Sequence, residues 1–244
     1  MDESNTSSSL TKKERRELKK QQKVQELKDE KRGKFVGKLI MWVIGVAIVI
    51  TLFAYVKKAA SIPQTNLPLP ELTALSEQDH IKGATESGRL LVEYSDFQCP
   101  ACAAYHPIIK KLLTDHTDSV EFVYRNFPLK QTHKNAQLSA QAAEAAGKQG
   151  KFWEMHDVLF DRQESWSESN NAQELFLEYA KELELNQEQF IAGIHSSEII
   201  DKVNADYASG VQADVRSTPT FYLNGKKMDT FRSYDELLKL LGIN

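Results

Sequence analysis

The segment Arg89-Leu90-Leu91-Val92-Glu93-Tyr94-Ser95-Asp96-Phe97-Gln98-Cys99-Pro100-Ala101-Cys102 holds both cysteines of this 244-residue chain, two residues apart. Arg89 to Ser95 is an apolar run on both faces, as expected of a central, buried strand. Ala103 to His116 reads as a helix, so the cysteines sit where a strand turns into a helix N-terminus. The free N–H groups there carry partial positive charge and stabilise an anion. A Cys99 thiolate is such an anion, and its pKa should fall below the free value of about 8.5. Pro100 suits the first helical position, where its missing N–H is not needed. Cys102, one turn in, is close enough to close a disulfide with Cys99. Cys99 is expected to be the exposed, reactive thiol and Cys102 the shielded one.

Ser95 to Cys102, preceded by Leu91-Val92-Glu93-Tyr94, resembles the active site of the DsbA family of thioredoxin-fold thiol–disulfide oxidoreductases, in its membrane-anchored extracytoplasmic branch. Far downstream, Ser217-Thr218-Pro219-Thr220-Phe221 resembles that family's cis-proline loop. The likeness covers Asp79 to the C-terminus. It implies an α/β thioredoxin fold with a helical insertion, catalysis by Cys99 and Cys102, and substrate contact at Thr218 and Pro219. It also places a buried acid, here Glu93, beneath the second cysteine; a strand-end carboxylate directed to water is the alternative. Pro100 and Ala101 tune the pair. Ala101 departs from the family, since strongly oxidising members carry histidine at that position.

Downstream of the motif, Ile108, Ile109, Leu112 and Leu113 give the first helix an i, i+4 apolar stripe. Pro107 cannot donate to the carbonyl of Ala103, so a kink is expected. Val120 to Arg125 is a second strand. From about residue 133 to 214 the pattern is helical. Ala136 to Ala146 is alanine-rich, and Phe152, Met155, His156, Leu159 and Phe160 share one face. Leu175, Phe176, Tyr179, Ala180 and Leu183 form another stripe. Asn186 with Gln189 opens a short helix carrying Phe190 and Ile194. Ile200, Val203, Tyr207 and Val211 are expected to line the last one. This block resembles the family's helical insertion. Strand returns at Pro219 to Leu223. Asn224-Gly225 is a tight hairpin turn, with Lys226 to Thr230 as its partner. Ser233 and Glu236 cap a final helix through Leu237, Leu238, Leu240 and Leu241.

Upstream, the net charge of −3 hides an asymmetry. Residues 1–38 carry twelve Lys/Arg against seven Asp/Glu, while residues 59–244 carry seventeen against twenty-seven. An acidic domain argues against nucleic acid as a partner. Leu39 to Val56 is a run of 18 residues without a charge, which as a helix spans roughly 27 Å, close to the hydrocarbon thickness. Its basic flank lies N-terminal (Lys28, Lys31, Arg32, Lys34, Lys38), so the positive-inside rule puts the N-terminus in the cytoplasm. The expected organisation is a cytoplasmic basic tail (1–38), one transmembrane helix (39–56), a proline-bearing tether (57–78) and an extracytoplasmic DsbA-like domain (79–244). Asp79 to Gly83 leads into its first strand. Outside is also the compartment where disulfide chemistry has substrates.

The expected activity is introduction of disulfides into secreted or surface polypeptides by dithiol–disulfide exchange. No cofactor is expected beyond the Cys99–Cys102 disulfide, and the partner that reoxidises it is expected to be a quinone-linked membrane oxidase. A reductase or isomerase of the same fold is the alternative direction. Two rivals come from other classes. A membrane-tethered binding module without turnover is one. The other is a metal module built on Cys99, Cys102 and His106. A structural zinc wants four ligands and there is no second cysteine pair. His80, His116, His133, His156 and His195 show no paired ligand spacing, so no metal is expected and His106 is read as a surface or groove residue.

Overall fold

The computed structural model describes residues 75–85 and 87–243, with Met41, Trp42, Gly45 and Thr51. Two compact units divide the chain, Met1–Gln64 and Thr65–Asn244. The expected tail lies outside the described residues, as do the tether except for 75–78 and the expected span except for the four residues just named. Among the described residues, no helix is long and apolar enough to cross a membrane.

The second unit is built on a sheet of β1 (His80–Gly83), β2 (Leu90–Ser95), β3 (Glu121–Asn126), β4 (Thr220–Leu223) and β5 (Lys226–Lys227), in the order β1-β3-β2-β4-β5. β2 lies at the centre, parallel to β3 and antiparallel to β4. The parallel step is made by α1 (Pro100–Asp115) crossing from β2 to β3, a connection that an antiparallel hairpin would not need. Burial on both faces explains why β2 carries apolar residues on both sides, Glu93 excepted.

Side chains alternate along these strands. Leu91, Phe122, Tyr124 and Phe221 point into the larger core, which also holds Cys99 and Cys102. Val92, Tyr94, Val123 and Tyr222 point into a smaller core on the other face. Glu93 is paired in register with Tyr124 and Phe221, so it faces the cysteine side.

Between β3 and β4 the chain forms α2 (Ala136–Gly147), α3 (Phe152–Asp161), α4 (Gln163–Trp166), α5 (Ala172–Glu182), α6 (Gln187–Ile194) and α7 (Ser197–Gln212). The alanines of α2 are the consequence of its place: it packs against α3, α5, α6 and α7, and small side chains let so many neighbours approach. The side chain of Asn186 accepts from the Gln189 N–H at 2.9 Å, capping α6 as its sequence indicates. The closing helix α8 (Tyr234–Leu241) starts at Ser233, whose hydroxyl accepts from the Glu236 N–H.

Two expectations need correction. The buried face of α7 is Ile199, Val203, Asp206 and Gly210, whereas Tyr207 and Val211 are exposed. The buried side has a polar and a bare position for specific reasons. Asp206 accepts from Lys202 at 2.7 Å and from the Asn126 amide. Gly210 lies against the sheet, where an added Cβ would come within 2.6 Å of the Phe127 ring and 2.9 Å of Tyr94. Second, the hairpin partner is shorter than Lys226 to Thr230. β5 is two residues, ending where Met228 N–H still reaches the Phe221 carbonyl. α1 runs from Pro100 to Asp115 with Pro107 inside it.

Candidate active site

The site forms at the C-terminal end of β2. Asp96 turns the chain. Its carboxylate accepts the Gln98 N–H at 2.8 Å and the Leu129 N–H at 2.9 Å, and lies 2.7 Å from His133 Nδ1. Its carbonyl accepts the Cys99 N–H at 3.0 Å. Cys99 is thereby held as the N-cap of α1, in extended conformation, with Pro100 following and no acidic residue in the first turn. The positive end of the helix is left for the sulfur.

Both cysteines are free thiols, and both are buried. Cys99 is 8% exposed and Cys102 fully buried. The expected exposure of Cys99 is thus too large: it belongs to the larger core with Phe97, and the Thr218 carbonyl before β4 lies 3.6 Å from its sulfur. The asymmetry between the two is nevertheless strong. Cys99 is pulled down to about 5, chiefly by its hydrogen bond with Cys102, then by neighbouring Thr218 and the N–H groups of Ala101 and Cys102, against burial. Cys102 is pushed well up, by burial first and then by the charges of Cys99 and Glu93.

Glu93 is buried, and desolvation raises its carboxyl to about 7, with the nearby Ser95 opposing. Its charge acts on both Cys102 and Tyr124. The arrangement is a buried acid near neutrality beneath a shielded thiol. The Thr218–Pro219 bond is cis, and the Thr218 carbonyl lies 3.6 Å from Cys99 Sγ as its acceptor. The structure therefore gathers Cys99, Cys102 and Glu93 with Thr218 and Pro219, two stretches 119 residues apart from Cys99 to Thr218. Pro100 and Ala101 are exposed at the rim.

Several positioning residues were not singled out from sequence. Gln98 donates to the Ser167 carbonyl at 2.6 Å and accepts the Asn135 N–H at 2.7 Å. Gln163 reaches the other way, donating to the carbonyls of Phe97 at 2.6 Å and Cys99 at 3.0 Å. These amides tie the cysteine turn to the helical insertion. No local pattern marks them, because each partner lies tens of residues away. His106 is also corrected. It is buried, stacked on Phe160 with ring centroids 5.0 Å apart, and is not a surface residue.

Comparison with known proteins identifies the family and the fold. A family model described as thioredoxin matches residues 75–242, and the chain belongs to the thioredoxin family. Its fold is DsbA-like. Among solved structures it is similar to BdbD from Bacillus subtilis, with a TM-score of 0.61 and 24% identity, covering 68% of this chain and 92% of that one. It is also similar to alpha-DsbA1 from Wolbachia pipientis, with a TM-score of 0.64 and 20% identity, covering 71% and 94%. The thiol-disulfide exchange protein alpha-DsbA2 of the same organism matches with a TM-score of 0.61 at 18% identity. The enzyme class expected from the sequence, a thiol–disulfide oxidoreductase, is consistent with these neighbours. Among curated proteins, a Na(+)/H(+) antiporter NhaA of Salinispora tropica is 37% identical over 151 residues, 62% of this chain and 22% of the antiporter. The chain spans about a fifth of the length of such relatives.

Proposed function

We propose that this protein introduces disulfide bonds into secreted or surface polypeptides, from a domain anchored outside the cell membrane. The observation that carries the reading is the opposition of the two thiols: Cys99 held near 5, Cys102 pushed well up. A stabilised Cys99 thiolate favours the dithiol enzyme and so makes its disulfide a stronger oxidant. It is also a good leaving group.

In the oxidised enzyme, a substrate thiolate attacks Cys99 Sγ. The Cys99–Cys102 bond breaks, a mixed disulfide forms, and the electron pair leaves on Cys102. Glu93, poised near 7, supplies the proton that Cys102 takes up. A second substrate thiolate then attacks the substrate sulfur of the mixed disulfide. Cys99 departs as thiolate, and the substrate holds a new disulfide. Two substrate thiols have lost two electrons and the enzyme disulfide has gained them. Thr218, beside Cys99, offers its backbone to the extended substrate segment. Reoxidation falls to a membrane partner linked to quinone. The basic flank before Leu39–Val56 supports an outside domain.

Equilibration of the pair with glutathione buffers, alongside oxidative refolding of a reduced substrate, tests this. We expect a potential more positive than about −200 mV and loss of refolding activity in Cys99→Ser. A potential near that of thioredoxin, about −270 mV, with insulin reduced faster than substrates are oxidised, would make the protein a reductase.

A further inference from the structure

The geometry points to a divalent transition-metal site, of the kind zinc takes, between α1 and α3 at His106, His156 and Asp157. The atoms these three residues offer as ligands lie within 4.8 Å of one another. His106 stands one helical turn beyond Cys102 on α1, and His156 and Asp157 come from α3. Neither cysteine belongs to the cluster.

Two independent observations point to a ligand there. One is the state of His106. Its Nε2 is buried and has no hydrogen-bond partner, although the residue is 7% exposed. A buried polar atom left unpaired is costly, and this one faces carboxylate oxygens: Asp157 Oδ1 at 3.8 Å and Asp161 Oδ1 at 3.4 Å. The other is the spacing of the donors. His156 Nδ1 lies 3.0 Å from Asp157 Oδ1. Zinc–nitrogen and zinc–oxygen bonds of about 2.0–2.2 Å in a tetrahedron set ligands about 3.3–3.6 Å apart. The two separations to Asp157 Oδ1, 3.0 and 3.8 Å, bracket that edge, and all three donors lie within 4.8 Å of one another.

Lys110 is the cation already present, and its position leaves room. Its ammonium lies 3.3 Å from Asp157 Oδ2 and 3.2 Å from Asp161 Oδ2. It thus takes the outer oxygens and leaves both Oδ1 atoms turned to His106. Two imidazoles with one or two carboxylates form a donor set suited to zinc rather than calcium or magnesium. Asp161, half-exposed, or a water completes the four. Bound there, the ion would pin the helix that carries the cysteines to the helical insertion. It would also take the place of the proton between His156 Nδ1 and Asp157.

The test uses the full chain in its disulfide form, so that no thiolate competes for metal. After stripping with a chelator and dialysis, it is titrated with zinc chloride by calorimetry, and thermal unfolding is followed with and without zinc. We expect one zinc per chain and a raised Tm. Asp157→Asn and His106→Gln should each weaken binding by at least about tenfold, and His195→Gln, an exposed histidine outside the cluster, should leave it unchanged. Cobalt should give the visible bands of a four-coordinate nitrogen–oxygen site in the wild type and lose them in Asp157→Asn. That carboxylate is partly exposed, and its replacement is isosteric, so the arm stands even if His106→Gln fails to fold. Absence of zinc binding would overturn the site, as would unchanged affinity in Asp157→Asn.

Discussion

At the scale of single residues, the chemistry rests on burial applied unequally to three groups. Cys99 keeps an edge of exposure and gains hydrogen bonds to its anion. Cys102 and Glu93 lose water and gain little in return. In the reduced protein, alkylation rate against pH should therefore follow a midpoint near 5 at Cys99. Mass mapping after a short exposure at mildly acidic pH should find label on Cys99 and none on Cys102. Label on Cys102 first would reverse the assignment of nucleophile. Glu93 yields a second prediction with a defined sign. Its folded pKa of about 7 lies above the ordinary 4.5. The folded state thus holds its proton longer than the unfolded state does. Below about pH 4.5 the residue has no pH-linked effect. As pH rises from there to about 7 the buried carboxyl costs progressively more stability, and above that the penalty is constant, on the order of 3 kcal/mol. Urea unfolding of wild type and Glu93→Gln across pH 4–8 should show the mutant gaining relative stability through that window. Its thiol exchange should slow near neutral pH, because Cys102 loses its proton donor. Parallel stability curves would mean that Glu93 is not a buried titrating acid.

At the scale of elements, the cysteine turn is positioned by side chains that come from the insertion. Gln163 on α4 donates to two carbonyls of that turn. Gln163→Ala should cost about 1–3 kcal/mol, the range for leaving buried acceptors unpaired. Its effect should reach the redox potential as well, because the lost bonds hold the turn that presents Cys99. The glutathione equilibrium and a urea curve measured on the same variant would show both. A stability loss with an unmoved potential would confine Gln163 to holding the fold. On the opposite face, α7 depends on a bare position. Gly210→Ala would bring a methyl within 2.6 Å of Phe127. Overpacking of this kind costs about 1–3 kcal/mol, against a gain of up to about 1 kcal/mol in helix propensity. The urea midpoint should therefore fall. A rise would mean that Phe127 and Tyr94 yield without strain.

At the scale of the whole molecule, function depends on which side of a membrane the domain occupies. By the proposal above it lies outside, and the Lys/Arg cluster before Leu39 is what supports that side. Protease added to intact cells or spheroplasts should then digest the domain and spare the N-terminal tail. The reverse pattern would invert the topology.

Much of the domain was legible because its signals are local. The strand before the cysteines, the helix after them, the Asn186 and Ser233 caps and the Asn224-Gly225 turn each rest on a few neighbouring residues. Local propensity and periodicity act at that range. The asymmetry of the two thiols was likewise legible in outline, since a helix N-terminus follows from strand, cysteine and proline in order. The face of α7 was misread because its buried side includes Asp206 and Gly210. An aspartate is buried there only because Lys202 and Asn126 meet it, and a glycine only because Phe127 leaves no room. His106 was misread for the same reason: nothing near it in the chain says that His156, Asp157 and Phe160 will pack on it. Residue order determined the elements and the reactive pair. Which polar groups lose water, and against which partners, was decided only when segments far apart in the chain closed on one another, because desolvation and hydrogen bonding depend on neighbours in space.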